Sequence, residues 1–239
     1  RHDRVTGITR MIDLLPNGEN PWEGGSFSAI SADGNRIVYR SLDGGLVTGD
    51  TNQTFDIFVY DVAAGTTRRV SVDSNGMQGS KMANRPTISA DGRYAAFDTT
   101  SSIVTGDSNS RSDIFVHDLV TGATTRVSVK TGNLQANNHS TQASLSGDGQ
   151  FVAFTSPATN LIASDTNGQS DVFLHDRVTG ITRRVSLTAD GGQATGGAST
   201  APRLSADGHS VVFVSTARNL IPGLKPGSKG QIYLHMLGE

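Results

Sequence analysis

The 239-residue sequence contains no cysteine. This excludes a disulfide scaffold, a thiolate zinc site and a cysteine nucleophile. Aromatic residues are scarce at 6 %, and there is one tryptophan. Proline occurs 7 times against 28 glycines. Abundant glycine with little proline, between clustered apolar residues, marks many turns rather than a disordered chain. Neither sign of charge is in excess: 20 Lys+Arg stand against 22 Asp+Glu, a net charge of -2. Such a chain lacks the cationic surplus with which nucleic-acid proteins neutralise phosphate. No apolar run approaches the roughly 20 residues of a membrane-spanning helix. Arg1-His2-Asp3-Arg4 is not the start of a signal peptide. Neither a nucleic-acid partner nor membrane insertion is therefore expected. The length fits one sizeable domain or two small ones.

What the sequence does contain is repetition. Ser31-Ala32-Asp33-Gly34 returns as Ser89-Ala90-Asp91-Gly92, Ser146-Gly147-Asp148-Gly149 and Ser205-Ala206-Asp207-Gly208, with the aspartates 58, 57 and 59 residues apart. In register with it run Ile57-Phe58-Val59-Tyr60, Ile114-Phe115-Val116-His117, Val172-Phe173-Leu174-His175 and Ile232-Tyr233-Leu234-His235. A third anchor, Asp-x-x-x-Gly followed by Thr and Arg, starts at Asp3, Asp61, Asp118 and Asp176. Each unit predicts four short strands, here termed a to d. In the third copy these are Gln142 to Ser146, Phe151 to Phe154, Val172 to His175 and Thr182 to Leu187. Asp-Gly between a and b predicts a type I′ hairpin turn. Strands b and c are continuously apolar, as strands packed on both faces must be. Strand d carries Arg68, Arg69, Arg126, Arg183 and Arg184, which fits an exposed outer edge.

Four-stranded units repeated head to tail predict an all-β propeller of four blades, forming a single domain over residues 1–239. The repeats lie near 27–71, 85–128, 142–187 and 201–239 plus 1–13. The N-terminal strand is expected to close the last blade as its strand d. Half of a larger ring, or a segment of a longer array, is the alternative.

Ser-x-Asp-Gly-x-x-Val-Ala-Phe, followed by Asn-Leu-x-x-x-Asp-x-Asn-x-x-x-Asp-Val-Phe-x-His-Asp-x-x-Thr-Gly-x-Thr-x-Arg-Val-Ser, spans residues 146–186. This pattern resembles the WD40-like PD40 repeat of TolB-like β-propeller proteins. The resemblance implies a propeller along essentially the whole chain. It is weak for function, because that group includes periplasmic interaction proteins, propellers attached to peptidases, and surface or secreted proteins. TolB-like rings usually have six blades of shorter repeat, whereas four of about 58 residues are present here.

In such a fold strand a lines the axis. The a–b and c–d turns share one face, and the long, variable b–c and d–a loops share the other. Function is expected on the loop face. The b–c loops carry Asp50, Asn52 and Asp56; Asp107, Asn109 and Asp113; and Asp165, Asn167 and Asp171. Oxygen ligands at alternate loop positions suit Ca²⁺. Two carboxylates per loop are few, and Asx-turns explain the same residues. The fourth copy has Leu224-Lys225 and Gln231 instead, and its loop is basic through Lys225 and Lys229. His117, His175 and His235 share one repeat position, with Tyr60 in the remaining copy. They are expected to pack and to make one hydrogen bond, too far apart for one metal ion.

Residues that break the repeat pattern lie in the d–a loops, Lys81 and Met82 among them, and four are the ligand- or partner-binding candidates: Trp22, Glu23, Arg85 and His139. Trp22 suits a partner anchor, a sugar platform or a plug over the channel mouth. There is no Gly-x-Ser-x-Gly elbow, no His-Glu-x-x-His and no phosphate-binding loop. The expectation is a non-enzymatic, extracytoplasmic scaffold binding a protein or glycan through the loop face. Two alternatives stand beside it. One is a polysaccharide lyase-like enzyme using His139, Glu23 and Arg85 around the channel. The other is the accessory propeller of a larger peptidase.

Overall fold

The computed structural model describes residues 1–223 and 229–237. It is all strand and turn, and no helix in it is long and apolar enough to cross a membrane. The first sheet is β1 (Ser26–Ile30), β2 (Arg36–Ser41), β3 (Asp56–Asp61) and β4 (Thr66–Arg69). The second is β5 (Ala83–Ile88), β6 (Tyr94–Thr99), β7 (Asp113–Asp118) and β8 (Thr124–Arg126). A small hairpin follows, β9 (Val129–Lys130) and β10 (Leu134–Gln135). The third sheet is β11 (Thr141–Leu145), β12 (Phe151–Ser156), β13 (Asp171–Asp176) and β14 (Ile181–Arg184). The fourth has three strands, β15 (Ser199–Leu204), β16 (Ser210–Ser215) and β17 (Gln231–Met236). Every pairing is antiparallel and between chain neighbours, and so each repeat folds as one meander.

Strands b and c hold each sheet together through one directly opposed aromatic pair. Tyr39–Phe58, Phe97–Phe115, Phe154–Phe173 and Phe213–Tyr233 stack with centroids 5.8–6.1 Å apart. Between sheets, alternate side chains of one c strand meet the b strand of the next. Ile57 and Val59 pack with Ala95 and Phe97, Ile114 and Val116 with Val152 and Phe154, and Val172 and Leu174 with Val211 and Phe213. These side chains are at most 2 % exposed. Full burial of each Ile, Val, Leu or Phe among them contributes about 1.5–3 kcal/mol, so the sheet-to-sheet seams are a large source of apolar stabilisation. Ile12 and Leu15 pack on the outer side of the first sheet, against Tyr39, Leu46 and Phe58. The matching side of the fourth sheet is bare, with Ile232 76 %, Leu234 62 % and Met236 64 % exposed.

The Ser-x-Asp-Gly turns differ from the expected type I′ geometry. That turn needs two successive residues at positive φ, and only the glycine is so placed, at 72° for Gly34 and 70° for Gly149. The aspartate instead accepts hydrogen bonds from the serine hydroxyl and from the amide two residues on, as Asp33 does from Ser31 (2.6 Å) and Asn35 (3.0 Å). The turns also bond to one another: Ala32 N to Ala90 O at 2.9 Å, Asp91 N to Gly147 O at 3.0 Å, and Gly147 N to Ala206 O at 2.7 Å. A Cβ at Gly147 would lie 2.8 Å from Ala206 O, which explains glycine where the other copies have alanine.

The N-terminal segment does not complete the fourth sheet as expected. Among the described residues β17 pairs only with β16. Arg1-His2-Asp3 folds back through the Asp3–Gly7 turn onto Ile8-Thr9-Arg10, with Asp3 N bonded to Ile8 O and Arg10 N to Arg1 O. The backbone edge that would meet a strand c is therefore already used. His2 stands in the place His235 would take: its Nδ1 is 2.8 Å from Thr9 Oγ1, as His117 Nδ1 is from Thr124 Oγ1.

Candidate binding site

The innermost strands β1, β5, β11 and β15 all line one cavity of about 500 Å³. Each is interrupted by a bulge against its b strand, between Ser26 and Ala29, Asn84 and Thr87, Thr141 and Ser144, and Thr200 and Arg203. In each bulge one non-glycine residue adopts positive φ: Phe27 51°, Arg85 49°, Gln142 61° and Ala201 53°. Such residues cost of order 1 kcal/mol or more and cluster at functional sites. All four line the cavity.

In three of the sheets the side chain of one position on strand b meets the bulge residue, and the two match in chemistry. The Arg40 guanidinium lies over the Phe27 ring at 4.6 Å and over Phe55 at 4.1 Å. It also donates to Asn84 Oδ1 at 2.5 Å and to Ser26 Oγ at 3.3 Å. Arg85 meets Asp98 at 3.2 Å. Thr155 Oγ1 donates to Gln142 Oε1 at 3.1 Å. In the fourth sheet the two positions hold Ala201 and Val214. A repeated backbone thus presents a cation–π pair, an ion pair, a neutral hydrogen bond and an apolar pair around one cavity. Asp98 is 3 % exposed, and burial pushes its carboxyl up to about 6 despite Arg85.

Of the residues singled out from sequence, only Arg85 lines this cavity. Trp22 is 94 % exposed and plugs nothing. Its amide and that of Glu23 are held by the Asp43 carboxylate at 2.6 and 3.4 Å. His139 Nδ1 accepts the amide hydrogen of Ser112 at 2.9 Å, while Nε2 lies 3.4 Å from Arg111 Nη1. With Nδ1 spent on that amide, His139 clamps a loop. The Ser112 hydroxyl turns instead toward Asp98, at 3.5 Å. The three polar groups are not arranged as nucleophile, base and orienter.

The b–c loop aspartates face arginine. Arg69 lies 3.2 Å from Asp50 and 3.9 Å from Asp56; Arg126 lies 3.2 Å from Asp107 and 3.7 Å from Asp113; Arg184 lies 3.4 Å from Asp165 and 3.3 Å from Asp171. The asparagines turn their amide nitrogen inward, Asn52 to Asp56 at 2.8 Å, Asn109 to Asp113 at 3.1 Å and Asn167 to Asp171 at 2.9 Å. Their Oδ1 atoms accept from the amides of Thr54, Arg111 and Gln169. Ser71, Ser128 and Ser186 complete the network on Asp56, Asp113 and Asp171 at 2.5 Å each. Each guanidinium thus lies between the two carboxylates of its own loop. No group of three or more acidic or histidine side chains able to hold a metal occurs among the described residues. Burial raises Asp50, Asp56, Asp107 and Asp165 above the ordinary carboxylate range, and Asp113 to about 6. These arginines were expected on an exposed edge. Their side chains are only 7–9 % exposed, because strand d alternates and turns one arginine inward. In the fourth repeat Leu224 and Lys225 lie outside the described residues, while Lys229 and Gln231 are exposed.

One recurrent residue escaped the sequence reading. Gln78, Gln135 and Gln193, at one repeat position, clamp the b–c loops, bonding Thr51 Oγ1 at 2.5 Å, Ser108 Oγ at 2.9 Å and Asp165 Oδ1 at 2.7 Å. The repeat histidines behave as expected where they are buried. Thr124 donates its hydroxyl to Val72 O at 2.7 Å, so His117 must donate Nδ1–H to Thr124, and His175 likewise meets Thr182 at 2.9 Å. Burial lowers both imidazoles to about 4.

The chain's four antiparallel meanders are similar in fold to solved β-propeller proteins. TolB from Acinetobacter baumannii shares 21 % identity with a TM-score of 0.51, over 93 % of this chain and 45 % of that one. The β-propeller domain of the Trilobed protease from Pyrococcus furiosus, described as having an open velcro topology, shares 14 % identity with a TM-score of 0.52, over 91 % of this chain and 56 % of that one. An oligogalacturonate lyase solved with manganese shares 11 % identity with a TM-score of 0.55, over 92 % and 56 %. The chain spans about half the length of these proteins. No family model matches it, and no curated protein does.

Proposed function

We propose that the chain is a non-enzymatic binding propeller, its four sheets acting as blades, which holds an extracytoplasmic protein partner at the axial cavity and the adjoining loops. The observation that carries this reading is the set of four matched pairs, Phe27–Arg40, Arg85–Asp98, Gln142–Thr155 and Ala201–Val214. The backbone there repeats and the side chains do not. That is how a rigid scaffold presents a ligand-specific surface. Among the described residues the cavity lining holds no histidine and no carboxylate, so it offers no general base. The absence of cysteine and the richness in Gly, Ser and Thr accord with an extracytoplasmic setting.

The test is site-specific photo-cross-linking from Thr87, which lines the cavity. A discrete adduct with one partner is expected in the native extract. It should disappear when Ser28→Trp fills the cavity while the melting temperature is retained. An adduct that survives Ser28→Trp would remove the cavity from the binding surface.

A further inference from the structure

We infer that the axial cavity is an oxyanion site, in which Arg85 and Arg203 seat the carboxylate of an acidic peptide segment. This rests on the binding reading above and names the chemistry it recognises. The chain as a whole is slightly acidic, at -2, yet its cavity lining contains two arginines and no acidic residue. Arg203 is exposed and bonds only to its neighbour Pro202 O at 2.9 Å, and no carboxylate lies within ion-pair distance of it among the described residues. Arg85 has a partner, Asp98, but half of its side chain (48 %) stays open to the cavity side. Asp98 also sits close to a second cation, Arg40, which is bonded only to neutral groups. Two guanidinium groups, Arg85 and Arg40, therefore share one carboxylate, and Arg203 has none within ion-pair distance among the described residues.

The geometry of the bulge adds a second line. Arg85 lines the cavity from a backbone position at φ of 49°. Glycine would take that conformation without strain. An arginine held there, with a buried aspartate fixing the far side of its guanidinium, is preorganised to offer its remaining N–H groups to a planar oxyanion. Phe27 supplies an apolar wall, and Gln142 a neutral amide beside it. An acidic peptide fits this lining, with its carboxylate between the arginines and its adjoining carbons against Phe27.

The experiment is a titration of the intact chain with hexaglutamate, hexalysine, digalacturonate and inorganic phosphate, read by calorimetry at low and at physiological salt. Hexaglutamate should bind and hexalysine should not, with affinity falling as salt rises. Arg85→Gln and Arg203→Gln should each weaken binding about tenfold or more. Arg4→Gln, an exposed arginine far along the chain from the cavity strands, should leave it unchanged and controls for net charge. Equal affinity in the Arg85 and Arg203 variants, or no binding of hexaglutamate, overturns the inference. Tighter binding of digalacturonate or phosphate than of hexaglutamate overturns the peptide assignment. If hexaglutamate fails while the Thr87 adduct is still abolished by Ser28→Trp, the oxyanion site falls and the binding propeller stands.

Discussion

Arg126 and Arg85 both meet aspartates in the second repeat, Arg126 in the b–c loop and Arg85 at the axis. Arg126 is 8 % exposed, lies between Asp107 and Asp113, and has counterparts in Arg69 and Arg184. Arg85 is 48 % exposed, has one aspartate and has no counterpart in any other repeat. The first arrangement recurs in the three four-stranded sheets, where it holds the b–c loop against strand d. The second occurs once because it belongs to the surface and not to the scaffold. Chemical likeness between two ion pairs says little about their roles. Burial, repetition and surroundings separate them.

The largest expected break in that comparison is Asp113→Ala. It should leave Arg126 buried with one carboxylate and cost about 3–5 kcal/mol, read by urea unfolding. Asp98→Ala removes a carboxylate whose arginine can turn to solvent, and should cost much less than Asp113→Ala. Equal losses would erase the distinction between loop pair and axial pair.

Acid sharpens it next. His117 and His175 have folded values near 4, below the ordinary 6.5. Their contribution is present above pH 6.5 and is lost as pH falls through 4, by up to about 3 kcal/mol each. Asp98 works in the opposite sense. Its folded value of about 6 exceeds the ordinary 3.8, so its contribution is full below pH 3.8 and lost as pH rises through 6. Asp98→Asn should therefore lose stability relative to the native chain between pH 6 and 4. Denaturation curves at pH 7, 6, 5 and 4 check this, and a constant difference between the two proteins would refute it.

Smaller effects complete the series. If arginine serves as the cation of the b–c loops, neither EDTA nor added Ca²⁺ should move the melting temperature. A rise with Ca²⁺ would assign those loops to metal. Trp22→Ala should change stability by no more than about 0.5 kcal/mol, since the indole is 94 % exposed. A larger loss would show that the ring packs in solution.

The repeats, the strand order and the apolar b and c strands were legible because each rests on a local pattern: spacing, Asp-Gly, or a run of Ile, Val and Phe. Arg85 was legible as a departure from the repeat. The rest of its site was not, because positive φ falls on Phe27, Arg85, Gln142 and Ala201, four residues with no common signal. Their partners Arg40, Asp98, Thr155 and Val214 emerge only once the register across the bulge is known. The loop arginines were visible and misplaced. Charge on strand d suggested the outer edge, while alternation along the strand decides which arginine points in. Gln78, Gln135 and Gln193 could have been found by aligning the d–a loops.

The bare side of β17 gives the molecule a polarity that its repeats alone would not. Ile232 and Leu234 are 76 % and 62 % exposed, whereas their counterparts Ile57, Val59, Ile114, Val116, Val172 and Leu174 are at most 1 % exposed. A sheet with half its seam missing has the lowest free energy of local opening. Amide hydrogens of β16 and β17 should thus exchange with solvent ahead of those in β6, β7, β12 and β13. Unfolding then proceeds like a zip, with the fourth repeat as its starting tooth.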